Sequence, residues 1–241
     1  AVLLIALPIV AALICIGIGR YSLSVPETIE VLMGGVKSQA EQDMAYSVIF
    51  NVRLPRIILA VLVGAGLACS GAAFQGLFTN PLATPDTLGV ASGASFGAVM
   101  AMMFDANLIV VQIMALIFGL VACLITYNIS KIKGVSSIVM IVLAGMVVSA
   151  MFQAFVSLLK YVADPLDKLP SITYWLMGSM SSASYKTLIL GCPFIIAGIV
   201  IIFALRWRLN ILSLNEDEVK SMGMNIKVMR FLVILSASLI T

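Results

Sequence analysis

The chain of 241 residues is 62% hydrophobic and 10% charged, with 14 basic and 11 acidic side chains. Ordinary soluble domains carry about 25% charged residues, so this composition excludes a water-soluble globular domain and predicts an integral membrane protein. The net charge of +3 comes from basic residues scattered among connecting segments, which gives no sign of a nucleic-acid-binding surface.

Apolar runs recur along the whole chain and predict its membrane-spanning helices. About 20 residues are needed to cross roughly 30 Å of hydrocarbon as a helix. The runs lack the alternation of polar and apolar residues that a β-barrel needs, so we predict an all-α, polytopic transmembrane helical bundle. The predicted spans, the last still apolar where the sequence stops, are 1–19, 57–78, 87–104, 108–129, 135–159, 187–205 and 231–241.

The second and third runs are rich in small residues. Gly64 and Gly71 lie on the second run, while Gly89, Gly93 and Gly97 repeat at intervals of four at the third. Small side chains let helix backbones approach closely where lipid supplies no hydrophobic drive for association. These glycines are therefore predicted to be helix-packing positions.

A polar segment with two prolines, from Asn80 to Asp86, separates these two runs. Proline cannot continue a helix, and non-helical backbone near a membrane survives at its surface, inside protein or against a water-filled cavity. Gln75 and Asn80 are then candidates for lining or bracing a path through the membrane. A structural turn capped by Asn80 and Asp86 explains the segment equally well.

The fifth run carries a weakly polar stripe, formed by Ser149, Gln153 and Ser157 at intervals of four. Such residues either line a polar path or bond across helices within one subunit. No charged residue lies within a full span, so an ion relay has no evident carrier.

The long polar stretch 210–230 is predicted to form two short helices on the membrane face. Ser213 and Glu216 have the spacing of a capping box, and Gly223 is a candidate helix stop. A helical turn in this position suits contact with another protein, although an ordinary amphipathic connector would look similar.

Residues for catalysis or metal binding are not found in the sequence. It has no histidine, no phosphate-binding G-x-x-x-x-G-K-[ST] loop and no H-E-x-x-H helix, and its four cysteines fall in four separate runs. We therefore predict neither an enzyme nor a cofactor or metal site. If ATP drives this protein, another polypeptide hydrolyses it.

Several separated motifs resemble those of one family, in the family's order. They are RLPR at 53–56, SGAAFQGLFTNPLATP at 70–85, LGVASGASFGA at 88–98, WLMGSMSS at 175–182 and LNILSLNEDEVKSMGMN at 209–225. The chain resembles the FecCD family, the permease subunits of ABC importers for iron-siderophores, haem and vitamin B12. The resemblance implies a type II importer permease of the cell membrane with about ten helices, of which this chain corresponds to six and part of a seventh.

Lys and Arg divide evenly between the two sides, so the distribution of positive charge does not decide the orientation. The resemblance does imply an orientation. Arg53 and Arg56 would face outward and dock an extracytoplasmic substrate-binding protein, since guanidinium groups pair well with carboxylates. Anchoring of the helix end among lipid head groups is the alternative.

Further expectations follow from the same resemblance. Two permease subunits would enclose the pathway and bind ATPase subunits inside the cell. The cargo would be an iron-siderophore or related chelate, and an ion-coupled secondary transporter is the alternative function. The residues implied for ATPase coupling are Ser213, Leu214, Glu216, Val219, Met222 and Gly223. The resemblance also makes the fifth run a channel-lining helix, so Ser149 and Gln153 join Gln75 and Asn80, the candidates from the polar segment, as residues of the translocation pathway.

Overall fold

The computed structural model describes residues 2–19, 21, 28–29, 31, 44–80, 83–130, 138–181, 183–212, 214 and 216–241. Every regular element in these ranges is helical, which confirms the predicted all-α class. A π-helical turn (Val48–Arg53) leads into α2, and a 3-10 turn (Pro85–Leu88) precedes α3. The helices are α1 (Val2–Gly17), α2 (Leu54–Phe78), α3 (Val90–Met103), α4 (Leu108–Ile129), α5 (Ile138–Val162), α6 (Lys168–Met177), α7 (Tyr185–Leu212), α8 (Glu216–Ser221) and α9 (Ile226–Ile240).

Four helical segments in the described ranges are long and apolar enough to cross a membrane. They are Met44–Phe78, Leu108–Ile129, Val139–Val162 and Tyr185–Leu212. At 1.5 Å per residue even a 22-residue helix is about 33 Å long, enough to cross the roughly 30 Å of the hydrocarbon layer. The protein is thus a multi-pass membrane protein.

The chain forms two compact units. The first consists of Ala1–Gly64 and Ser179–Cys192, and the second of Ala65–Gly178 and Pro193–Thr241. The first unit holds α1, the π-helical turn and the start of α2. The second holds the helices from α3 to α6 together with α8 and α9.

Close packing of α3 on α4 organises the second unit. A Cβ atom built on Gly93 would lie 2.6 Å from the carbonyl oxygen of Phe118, and one built on Gly97 would overlap the carbonyl of Met114. The two backbones can approach this closely only because these positions have no side chain. Beside them the Phe96 ring meets Phe118 edge-on, with ring centroids 5.0 Å apart.

The main apolar core of the second unit is built from one face of α2 and from facing residues of later helices. Phe74 is fully buried and its ring stacks on Phe78 with centroids 5.7 Å apart. Val219 of α8 and Val233 of α9 belong to the same cluster. This burial attaches the short helix α8 to the bundle.

The helical segment that contains α2 begins earlier than the predicted span at 57. It runs from Met44 and passes through Pro55 without interruption. In the π-helical turn, the N–H of Leu54 donates to the carbonyl of Ile49, five residues earlier. The π-helical turn continues the helix as far as Pro55. Proline has no backbone N–H, so it leaves no donor without an acceptor there.

Helix α6 was not predicted from the sequence. Its residues Leu169, Ile172 and Leu176 face Val99 of α3 and Val156 of α5. Their spacing of three and four residues is that of one helical face. Polar residues lie between these three, so the apolar spacing was not recognised and the segment was assigned to a connection between spans.

Candidate functional site

The junction before α3 is built around a left-handed residue. Gly89 has φ of 74°, and a Cβ built on it would lie 3.1 Å from the hydroxyl oxygen of Ser149 on α5. The buried Thr126 hydroxyl of α4 donates to the carbonyl of Leu88 at 2.9 Å. The end of the 3-10 turn is thus fixed by α4 and lies flush against α5.

The polar stripe of α5 runs from this junction along the start of α3. The Gln153 amide nitrogen lies 3.5 Å from the hydroxyl of Ser92, at the limit of a hydrogen bond. Ser157 donates to the carbonyl of Gln153 at 2.9 Å. Ser149 is half-buried and Gln153 is exposed, so one helix presents a weakly polar face beside α3.

The other two pathway candidates lie at the end of α2. The backbone N–H of Asn80 donates to the carbonyl of Gln75 at 3.2 Å, and the N–H of Ala83 donates to the carbonyl of Asn80 at 3.1 Å. Gln75 is exposed and Asn80 is half-buried. The four candidates therefore form two pairs, one at and just beyond the end of α2 and one on α5.

The five glycines expected at helix contacts have different surroundings. Gly93 and Gly97 lie against α4, and Gly89 lies against α5. A Cβ built on Gly64 or Gly71 would meet nothing within 4 Å in the described part of the chain. Small residues of α2 lie on more than one face of the helix, so their spacing alone does not show which glycine contacts a neighbouring helix.

The two arginines expected at a docking surface have different environments. Arg53 is 8% exposed, and its guanidinium donates to the carbonyls of Ile16 and Tyr21. Arg56 is exposed and donates to the carbonyl of Ser181 at 2.6 Å. Arg53 is thus used inside the first unit, while Arg56 is presented on its surface.

The segment before α2 has a further tie within the first unit. The Tyr185 hydroxyl, at the start of α7, donates to the carbonyl of Phe50 at 2.7 Å. Together with the bonds of Arg53 and Arg56, it connects the π-helical turn, the end of α1 and the segment before α7. The surface around Arg56 is therefore held by hydrogen bonds to several backbone segments.

The coupling candidates separate by burial. Leu214 is 46% and Met222 64% exposed, whereas Val219 is 1% exposed in the core. Gly223 has φ of 75° just after α8. Ser213 and the side chain of Glu216 lie outside the described part of the structure.

Two polar contacts were missed by sequence reasoning. One is the Thr126 hydroxyl at Leu88, and the other is the ion pair between Lys168 of α6 and Asp105 after α3. A lone threonine in an apolar span was the available signal for the first. The partners in the second are 63 residues apart, so no local pattern could pair them.

The polar side chains of the candidate site are hydroxyl, amide and guanidinium groups. The described residues contain no group of three His, Cys, Asp or Glu side chains that could hold a metal ion. Hydroxyl, amide and guanidinium groups instead bond to backbone carbonyls. Such groups can position helices and pair with a partner's charges.

Comparison with known proteins gives a consistent result over almost the whole length. Residues 6–241 match the FecCD transport family. The molybdate import system permease protein MolB of Haemophilus influenzae is 42% identical over 234 residues, which are 96% of this chain and 69% of that protein. A Helicobacter pylori protein named as an iron chelatin transport system permease is 35% identical over 235 residues, covering 95% and 70% of the two chains.

A solved structure agrees with the sequence matches. It shows an inward-facing conformation of a transporter assigned to the metal-chelate type of ABC transporter, and it is 39% identical to this chain. The TM-score is 0.83, and the superposition covers 98% of this chain and 72% of the other. The fold, the motifs and their order lead to one conclusion: this chain belongs to the FecCD transport family.

Proposed function

We propose that this protein is the permease subunit of an ABC importer that carries an iron-siderophore or related metal chelate across the cell membrane. The observation that carries the proposal is the family match over residues 6–241, together with a fold shared with a metal-chelate type transporter. The relative named for an iron chelate supports this substrate class. The relative named for molybdate is named for an oxyanion, so molybdate is the alternative cargo. The iron chelate itself is the more specific part of the proposal.

The exposed polar face of α5 is the proposed lining of the translocation pathway. Gln153 is exposed there, beside the half-buried Ser149. Gln75 and Asn80 would brace the inner end, where α2 gives way to the proline-containing segment. A face of serine and glutamine offers hydrogen bonds without strong charge, so it would pass a bulky solute while selecting little. Specificity would then come from the substrate-binding protein.

Partners would bind on the two sides of the membrane. The surface that carries Arg53 and Arg56 would face outward and dock the substrate-binding protein. Leu214 and Met222 would face the cytoplasm and contact the ATPase subunit, while Val219 holds α8 in the core. Gly223 ends the short helix and lets the chain turn into α9. A second permease subunit would complete the pathway.

Replacement of Met222 by glutamate tests the coupling surface. An exposed side chain tolerates the change, but a carboxylate in an apolar contact would be desolvated without a partner. We expect Met222→Glu to lose the co-purifying ATPase subunit while the permease remains folded. The matched control is Met177→Glu, because Met177 is 77% exposed and Met222 64%.

Met177 lies on α6, in the segment 160–186, and the family resemblance would place this segment on the outer side of the membrane. The control should therefore retain the ATPase subunit. If the Met222→Glu variant still binds the ATPase subunit, Met222 is not part of the coupling surface. If the unaltered full-length protein binds no ATPase subunit, the importer proposal itself fails.

A further inference from the structure

We infer that a groove between α2 and α7 binds an anionic phospholipid, whose acyl chain lies along α2 and whose headgroup phosphate pairs with Arg206. The inference goes beyond the proposed function. It does not depend on the cargo or on the energy source, because lipid binding is measured without transport. All residues that line the groove belong to the second unit.

Small side chains on α2 create the groove. The α2 residues that line it lie between Cys69 and Gly76, and none has a side chain larger than that of cysteine. A Cβ built on Gly76 would meet nothing within 4 Å in the described part of the chain. Ile202, Phe203 and Leu209 of α7 form the opposite wall, and the enclosed volume is about 300 Å³. Ligand pockets have volumes of about 300–1,000 Å³, so part of a lipid chain fits.

The position of the groove favours lipid as the occupant. Its walls belong to Met44–Phe78 and Tyr185–Leu212, two segments that are able to cross a membrane. The charge-free run 187–205 is about 28 Å long as a helix, so Arg206 lies where hydrocarbon meets the headgroups. Trp207 is 70% exposed beside it, and tryptophan is enriched at that boundary. The groove therefore reaches the depth at which a phospholipid has its phosphate.

Arg206 supplies the charge that complements a phosphate. Its guanidinium lies 4.0 Å from the centroid of the Phe203 ring and donates to the carbonyl of Phe203 at 3.0 Å. Both contacts lie within α7, and in the described part of the chain Arg206 has no acidic partner. A guanidinium has five N–H donors, so donors remain for two oxygens of one phosphate.

Arg208 provides a matched comparison two positions further along α7. Its side chain is also exposed, but it does not line the groove, and its Nη1 atom lies 3.7 Å from the sulfur of Met229 on α9. A general attraction between basic side chains and an anionic membrane would involve both arginines alike. A site in the groove involves Arg206 alone.

The test is lipid binding by the full-length protein, isolated in detergent with the subunits that co-purify with it. Native mass spectrometry gives Kd for dioleoylphosphatidylglycerol and for dioleoylphosphatidylcholine. We expect the anionic lipid to bind more tightly than the zwitterionic one. Arg206→Gln should raise Kd for phosphatidylglycerol about fivefold and leave phosphatidylcholine unchanged, whereas Arg208→Gln should alter neither.

Gly76→Leu blocks the groove without removing a charge. Leucine is a better helix former than glycine, so the helix itself tolerates the change. We expect this variant to raise Kd for phosphatidylglycerol although Arg206 is present. Phosphatidylglycerol should also raise the melting temperature of the unaltered protein more than that of Arg206→Gln or Gly76→Leu, because a ligand of the folded state stabilises it. Inorganic phosphate should give no such rise, since it has no acyl chain.

Four results would overturn the inference. The first is equal binding of the two lipids by the unaltered protein. The second is an equal loss in Arg206→Gln and Arg208→Gln, which would show a general attraction to the membrane. The third is a lowered melting temperature of Gly76→Leu with unchanged lipid binding, because another helix of the full-length protein would then fill the groove. The fourth is a thermal shift that inorganic phosphate alone reproduces.

The two arginine variants carry the test if Gly76→Leu does not fold. None of these results decides the proposed function, because no ATP hydrolysis or uptake is measured. The ATPase association tested at Met222 decides that function independently of lipid.

Discussion

At the scale of the residue, single glycines determine how closely α3 and α4 approach. Gly97 faces the backbone of Met114, so an added methyl group has nowhere to go without moving a helix. Overpacking of a tight interior costs about 1–3 kcal/mol. Gly71 lies on α2, where an added Cβ meets nothing within 4 Å in the described part of the chain.

We therefore expect Gly97→Ala to lower the melting temperature of the detergent-purified protein. Gly71→Ala is the matched control and should be neutral or slightly stabilising, because alanine is favoured over glycine inside a helix by about 0.5–1 kcal/mol. Equal effects of the two substitutions would contradict the close packing of α3 on α4. A large loss in Gly71→Ala alone would instead point to a helix or subunit contact at that face.

The sequence predicted glycine spacing but could not assign each glycine a neighbour. Gly93 and Gly97 repeat on a helix that contacts α4 along one face, so their spacing and their contacts agree. Gly198 was not singled out, yet a Cβ there would lie 2.7 Å from the carbonyl of Ser236 on α9. Which face meets a neighbour depends on distant parts of the chain, and local spacing does not contain that information.

At the scale of the element, α6 shows how a short amphipathic helix is held at the end of a bundle. Ile172 is fully buried against α3 and α5, while Lys168 pairs with Asp105, whose side chain is 81% exposed. Exposed ion pairs contribute about 0–1 kcal/mol, whereas truncation of a buried isoleucine costs about 2–5 kcal/mol. The packing of Ile172 should therefore contribute more to the stability of α6 in the bundle than the ion pair of Lys168.

Ile172→Ala and Lys168→Ala separate these two contributions. We expect Ile172→Ala to reduce the stability measured by thermal or denaturant unfolding, and Lys168→Ala to change it by less than about 1 kcal/mol. Raised salt should weaken only the contribution of Lys168, because screening acts on charges. A larger effect of Lys168→Ala than of Ile172→Ala would mean that the ion pair holds the helix.

The start of α2 was harder to predict than its existence. The run from Ile57 to Phe78 was evident as apolar sequence, but the segment before it contains Asn51 and Arg53 and gave no sign of continuing the helix. The π-helical turn and the burial of Arg53 at the end of α1 make that continuation favourable. Both depend on tertiary contacts that a local pattern cannot show.

At the scale of the whole molecule, composition and motif order carried most of the prediction. The all-α class, the membrane location and the family followed from apolar runs and from motifs such as RLPR at 53–56, and the family match and the fold confirm them. The roles of the site residues remain proposals. Burial already distinguishes among them, since Val219 is in the core while Met222 is exposed.

The central claim is that ATP hydrolysis by a partner subunit, and not an ion gradient, drives transport of a metal chelate. The most direct test is uptake of a radiolabelled ferric siderophore by proteoliposomes that contain the full-length permease, its ATPase and its binding protein. ATP is enclosed on the ATPase side, and labelled molybdate is measured in parallel as an alternative cargo. We predict siderophore uptake that requires ATP and persists when ionophores collapse the ion gradients. Uptake that proceeds without ATP and stops on addition of ionophore would contradict the account and favour an ion-coupled carrier.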